Sequence, residues 1–143
     1  MLSISFPIML IGGVAQVGDV EETISWLKEI RNTNLVQIVD AEYVAGREHV
    51  ELALLCTRRA FRGGYNISHD PSIEFLLCMA ATRQIKDARK IGLKKGKCRV
   101  VIVVDSINQP ANQETTQRLI QMIQQRLKLN RDDSLIQCSE WKW

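Results

Sequence analysis

The sequence has few of the features that mark membrane-spanning, secreted or disordered proteins. Only three of its 143 residues are proline, and charged residues make up 24%, a share that is ordinary for a globular chain. The longest apolar stretch, 8–17, is too short and too glycine-rich to cross a bilayer. No basic segment precedes it, so it does not resemble a signal peptide. We therefore expect a cytoplasmic protein with a single domain over 1–143, large enough to fold without a metal or a disulfide.

The cysteines do not form a recognisable metal-binding or redox motif. Cys56, Cys78, Cys98 and Cys138 are scattered, with no Cys-x-x-Cys pair and no histidine close to two of them. Each lies in or beside an apolar run, which is typical of buried free thiols that behave as small hydrophobic residues. We expect four free cysteines and no metal or cofactor. A zinc site assembled from distant residues, or a disulfide, is the alternative.

Motifs that support catalysis are also missing. Gly12, Gly13 and Gly18 match neither G-x-G-x-x-G nor a Walker loop, because no Gly-Lys-Ser/Thr follows them. We interpret Gly12-Gly13 as a turn at the end of a strand. His49 and Cys56 are two helical turns apart, roughly 11 Å along a straight helix, which is too far for a base to activate a nucleophile. We expect no enzymatic activity from the chain itself.

One enzymatic alternative stays open. Asp40 and Glu42 are two residues apart on an extended segment and therefore face the same side of it. Together with His49 they could form an acid–base or metal site for a small molecule. A deep pocket lined by these three residues would favour that hypothesis, whereas solvated loop acids are the simpler interpretation.

Positive charge is concentrated in the middle of the chain. Residues 56–97 contain ten arginines and lysines against three acids, a net charge of +7, and the total of +3 leaves −4 for the rest. A segment this basic on an otherwise acidic protein suggests a surface that faces a polyanion. The alternative is the solvated face of a helix.

Hydrophobic periodicity predicts an alternation of strands and helices. Asp19 and Asp70, the second followed by proline, are typical helix caps. The β-branched run 99–104 predicts a strand buried on both faces. The predicted strands are 6–14, 35–39, 99–104 and 134–138, and the predicted helices are 19–31, 46–62, 70–80, 82–91 and 112–129. This order predicts an α+β fold, a single domain in which a mixed β-sheet packs against several α-helices.

The middle of the chain carries a spaced set of residues that matches a known family. The set consists of the run 41–50, Ala53, Asn66, Glu74, Leu76 and Arg83-Gln84-Ile85 with Ala88 and Gly92. Over residues 35–104 it resembles the kinase-associated regulatory subunit of the KEOPS complex, the family of the PRPK-binding protein TPRKB. The sequence departs from the family at Thr82, because the family usually has glycine before x-Arg-Gln-Ile or directly before Arg-Gln-Ile.

The resemblance implies a non-catalytic subunit without a cofactor. Such subunits bind and regulate the small PRPK-type kinase/ATPase of KEOPS, and they reach the other KEOPS subunits through it. They also bind tRNA, including its single-stranded CCA tail. The complex installs threonylcarbamoyladenosine beside the anticodon of tRNA. No membrane partner is implied.

The side chains of the basic segment suit a single-stranded RNA tail, which is bound by a positive groove and by planar groups that stack on bases. Arg83 and Gln84 are candidates for contacts with the tail, Asn66 and Glu74 for reading base edges, and Tyr65 for stacking. The candidates for phosphate contacts are Arg59, Arg62, Lys86, Lys90 and Lys95. Two alternatives remain: a polar network that only holds the helix junctions together, and a protein-interaction module whose basic face serves an acidic protein.

Overall fold

A computed structural model describes residues 8–32, 34–106 and 113–136. The strands are β1 (Met9–Val17), β2 (Asn34–Asp40), β3 (Gly96–Ser106) and β4 (Asn130–Arg131). The helices are α1 (Val20–Arg31), α2 (Arg47–Gly63), α3 (Pro71–Ala80), α4 (Ile85–Ala88) and α5 (Gln113–Arg126). Within these ranges no helix combines the length and the apolar composition that a bilayer crossing needs.

The strands form one sheet in the order β2-β3-β1-β4. The predicted α+β class, with a sheet packed against several helices, is confirmed. The prediction of a mixed sheet is wrong for the described residues, because all three strand pairings are antiparallel. The chain returns through α1, so β1 and β2 run in the same direction, but β3 inserts between them and pairs with both. Strands of the same direction therefore never become neighbours.

Helices cover both faces of the sheet. Along β3, Val101 and Val103 pack into the core on the side of α2 and α3. The alternate residues Val100, Ile102 and Val104 pack on the other side, with α1 and α5. The prediction that this strand is buried on both faces is confirmed.

Gly12-Gly13 lies in the middle of β1, so its interpretation as a strand-end turn is wrong. The segment after α5, which includes β4, pairs with β1 at this point. A Cβ atom on Gly12 would meet the backbone oxygen of Asp132 at 2.8 Å, and one on Gly13 would meet that of Asn130 at 2.7 Å. The two glycines are required because another stretch of backbone approaches so closely.

The ends of several elements differ from their prediction. Asp19 and Asp70 cap α1 and α3 through their carboxylates, as predicted. The predicted helix 82–91 is shorter, because Gln84 is extended and the helix begins only after it. The predicted final strand is wrong for 134–136, which form a short three-ten helix; residues 137–138 lie outside the described part. Asp132 accepts a bond from the Ser134 N–H and so starts a turn there.

Helix α3 protects an edge of the sheet. β2 is an edge strand, and an exposed strand edge can pair with another chain. The Ser72 hydroxyl accepts the Val36 N–H at 3.1 Å, and the Gln37 amide donates to the Ser72 carbonyl at 2.8 Å. The start of α3 therefore bonds to the polar groups of β2 that face away from the sheet.

Arg58 belongs to the basic segment but serves the fold. Its guanidinium lies 2.6 Å from the carboxylate of Asp105, which is fully buried, and the Arg58 side chain is itself only 25% exposed. The pair joins α2 to the end of β3. Because a charge-assisted bond in such a site is strong, this arginine is held in place and adds little to a surface that faces a polyanion.

We predict that Asp105→Ala lowers the free energy of unfolding by about 3 kcal/mol, because it leaves the Arg58 guanidinium without this ion pair in a partly buried site. Urea unfolding followed by tryptophan fluorescence measures the change. The double variant Arg58→Met with Asp105→Leu removes both charges and should lose less. A loss below about 1 kcal/mol for Asp105→Ala, the range of a surface pair, would contradict the assignment.

Candidate functional site

A groove lies where the end of α2, the loop 64–70 and the end of α3 meet. Its volume is about 520 Å³, within the usual range of ligand sites. Helices α2 and α3 supply the floor, and the loop and the residues after α3 supply the rims. The lining residues are Cys56, Ala60, Tyr65, Ile67, Glu74, Leu77, Cys78, Ala81, Thr82 and Arg83.

Tyr65 places an exposed aromatic ring at one rim of the groove. Helix α2 ends because Gly64 adopts the left-handed conformation, with φ 72°. The Tyr65 N–H then bonds back to the Ala60 carbonyl at 3.0 Å. The ring lies over Gly63, where a Cβ atom would meet it at 2.6 Å. The absence of a side chain at Gly63 thus lets the ring pack there, and 65% of Tyr65 remains exposed.

Glu74 fixes the loop that carries this rim. The residue is only 4% exposed, and its Oε1 accepts the backbone N–H groups of Ile67 and Ser68, each at 2.8 Å. The Asn66 side-chain amide donates to the Ser68 carbonyl at 2.9 Å. Two of the predicted base-reading residues therefore hold the loop, while Glu74 also lines the groove.

Arg83 and Gln84 form the opposite rim. Both are exposed, and Arg83 lines the groove. The Thr82 hydroxyl accepts the Gln84 N–H at 3.2 Å and holds this segment extended. The structure thus brings Tyr65 and Arg83 to the same groove, with Gln84 next to Arg83 in the chain.

A second, smaller depression of about 300 Å³ adjoins the groove, and Thr82 lines both. Lys90 and Tyr43 both line it, and Tyr43 is 47% exposed. The Lys94 ammonium lies 5.3 Å from the centre of that ring, a cation–π arrangement. Tyr43 is an aromatic residue within the run 41–50, but nothing in its spacing predicted a place beside the groove.

The predicted phosphate contacts are all exposed: Arg59, Arg62, Lys86, Lys90 and Lys95. Arg59 and Arg62 lie three residues apart on α2, so they share a face of that helix. Lys90 makes an exposed ion pair with Asp87 at 3.4 Å, which costs little to open. These charges therefore remain accessible to an anion.

The two cysteines on the groove wall lie against each other. The Cys78 thiol donates to the Cys56 sulfur at 2.8 Å. Burial, and then this hydrogen bond, raise the pKa of Cys78 to about 12, so it stays protonated at neutral pH. Cys56, Cys78 and Cys98 are free thiols, as predicted, and Cys138 lies outside the described residues. The expectation of burial is wrong for Cys56, which is exposed.

His49 is occupied by backbone partners. Its Nδ1 accepts the Ala45 N–H at 3.1 Å, which leaves Nε2 as the protonated nitrogen. Nε2 lies 3.1 Å from the Met79 carbonyl and donates to it. The histidine therefore joins the start of α2 to the end of α3.

Asp40 and Glu42 are not part of a pocket with His49. The Asp40 carboxylate caps the turn at Glu42 by accepting its N–H at 3.0 Å and pairs with Lys94 at 2.7 Å. None of the three residues lines the groove or the adjoining depression. None lines a further cavity of about 300 Å³ between α1 and α3 either. Within the described part of the chain, no group of three or more potential metal ligands is present. The geometry gives the small-molecule enzyme hypothesis no support.

The comparisons with known proteins assign this arrangement to a family. A family model described as kinase binding protein CGI-121 matches residues 14–142, nearly the whole chain. The chain belongs to this family. The resemblance to the TPRKB family is thereby confirmed, and the chain is a member of a family of kinase-binding proteins. No curated protein matches the chain significantly.

In this CGI-121 family protein, the departure from the family pattern lies beside a left-handed residue. Ala81 ends α3 with φ 53° and ψ 44°, a conformation that glycine adopts without strain. Of the two positions at which the resemblance implies glycine, 81 and 82, position 81 is the one that is left-handed here. The turn is nevertheless closed, because the Thr82 N–H bonds to the Leu77 carbonyl at 3.2 Å. Ala81 and Thr82 thus form the closed turn from which the groove rim continues.

We predict that Glu74→Ala lowers the free energy of unfolding by about 2 kcal/mol, because two partly buried N–H groups lose a charged acceptor. The loop 64–70 should also loosen. Hydrogen exchange at Ile67 and Ser68 measures the loosening, and urea unfolding measures the stability.

Glu74→Gln is the matched control, because its amide oxygen can still accept both bonds. It should keep the slow exchange at Ile67 and Ser68 and lose less stability. Unchanged exchange in Glu74→Ala would show that the carboxylate does not hold the loop.

Proposed function

We infer that this kinase-binding protein is a non-catalytic, cytoplasmic subunit of a KEOPS-type tRNA-modification complex, which binds the PRPK-type kinase/ATPase and the CCA tail of tRNA. The observation that carries the RNA part is the groove with Tyr65 on one rim and Arg83 on the other. The family match supports the kinase part.

The groove has the chemistry that a flexible single strand requires. Bases stack on aromatic rings and guanidinium planes, whatever their sequence. Tyr65 and Arg83 supply one of each, and both are exposed. Gln84 beside Arg83 adds an amide with donors and an acceptor. Tyr43 offers a second ring along the same path, because Thr82 lines both depressions.

The phosphates would follow the exposed cations around the groove. Lys86 and Lys90 lie on the segment after Arg83, and Arg59 and Arg62 lie on α2, which supplies part of the floor. Lys95, a further exposed cation, lies after the α4 segment. Glu74 and Asn66 act by positioning the loop. A positive surface of this kind binds any nucleic acid, so the specificity for a tail depends on the two rims.

We predict that Arg83→Ala weakens binding to intact tRNA by about 1–3 kcal/mol, because a base loses its planar partner. The cost should vanish on tRNA trimmed of its CCA tail. Fluorescence anisotropy with wild type and variant, each against both RNAs, measures the four affinities. Equal affinity of the wild type for both RNAs would contradict tail binding.

Arg118→Ala is the matched control for the loss of a positive charge. Arg118 is exposed on α5, which packs on the opposite face of the sheet from the groove. Its replacement should leave the difference between intact and trimmed tRNA unchanged. Lys86→Ala should modestly weaken the binding of both RNAs. It should also reduce the slope of log affinity against log salt concentration by about 0.7.

We predict that the protein binds the PRPK-type kinase as one copy per kinase and changes its ATPase rate. Size-exclusion chromatography of the mixture measures the assembly, and phosphate release measures the rate. An unchanged elution volume together with an unchanged ATPase rate would contradict the regulatory role. The protein could also bind the kinase normally and yet bind intact and trimmed tRNA equally well. That combination would indicate a protein-interaction module instead.

A further inference from the structure

A pair of thiols lies on the groove wall, and the proposed function assigns no role to either sulfur. Cys56 lies on α2 and Cys78 on α3, and their sulfur atoms are 2.8 Å apart. A disulfide bond measures about 2.05 Å, so the two sulfurs need to approach by less than 1 Å.

The two thiols differ in a way that sets an order of reaction. Cys56 is exposed and can meet a reagent from solution, whereas Cys78 is half-buried. The Cys78 S–H points to Cys56, and the Thr57 hydroxyl lies 3.7 Å from the Cys78 sulfur. The Cys78 sulfur therefore lies on the inner side of Cys56, next to it. This is the position of a resolving thiol, which attacks the sulfur that has reacted first.

We propose that Cys56 and Cys78 are a reversible redox site, which a low-molecular-weight disulfide such as oxidised glutathione converts into an intramolecular disulfide between α2 and α3. The Cys56 thiolate attacks one sulfur of oxidised glutathione, forms a mixed disulfide and releases one reduced glutathione. Cys78 then gives up its proton, attacks the Cys56 sulfur as a thiolate and releases the second glutathione, which takes up a proton. Two protein thiols are oxidised, one glutathione disulfide is reduced, and the reaction runs backwards with excess reduced glutathione.

The raised pKa of Cys78 agrees with this order. A protonated thiol attacks slowly, so Cys56 reacts with the external disulfide and Cys78 acts only once the mixed disulfide lies beside it. The product closes a loop that includes the whole segment between α2 and α3, and such a cross-link stabilises a fold by restricting the unfolded chain.

The test uses the full chain with oxidised glutathione as the oxidant, and intact mass as the first readout. The wild type should lose two hydrogens, and digestion with trypsin should link the peptides 48–58 and 63–83. Cys78→Ser should instead retain one glutathione on Cys56, because the resolving thiol is missing. Cys56→Ser, a change at an exposed position, should form neither this cross-link nor an adduct on Cys78.

Thermal unfolding is the second readout. The oxidised wild type should melt about 5–10 °C above the reduced form, and the shift should disappear in Cys56→Ser. Cys98→Ser is the matched control and should keep both the cross-link and the shift. A wild type whose Cys56 and Cys78 remain thiols under these conditions, or whose cross-link maps to other cysteines, would overturn the proposal.

Discussion

The fold depends on the burial of α3, because a helix that is enclosed on most sides must find a partner for each of its polar groups. Its cap, Asp70, pairs with Arg31 of α1 at 2.8 Å. Ser72 bonds to the edge of β2, and Glu74 bonds to the loop before the helix. Each of these contacts fixes a different neighbour, so the position of α3 determines how α1, β2 and the loop 64–70 are arranged around it.

The candidate site is a consequence of that arrangement. The loop 64–70 has to pass from α2 to the start of α3, and Glu74 holds it close to the helix, so that Tyr65 stands beside the groove. At the other end of α3, the left-handed Ala81 turns the chain so that Arg83 faces the same groove. One buried helix therefore sets the distance between an aromatic ring and a guanidinium that lie 18 residues apart in the sequence.

Local signals were readable from the sequence, whereas contacts between distant residues were not. The Asp70-Pro71 cap and the doubly buried strand 99–104 follow from residue types and spacing alone. The antiparallel sheet does not, because the insertion of β3 between β1 and β2 is a pairing between distant segments. Glu74 was expected at a base edge, and its part in holding the loop depends on a backbone path that no spacing reveals.

The central claim is that the groove between α2 and α3 receives the single-stranded end of an RNA. Titration of the isotope-labelled protein with the trinucleotide CCA, followed by amide chemical shifts, tests it without any contribution from the tRNA body. We expect the largest shifts at residues 63–68 and 81–86, which surround the groove. Shifts that concentrate on α1 and α5, on the opposite face of the sheet, would contradict the account, as would the absence of any shift at Tyr65 and Arg83.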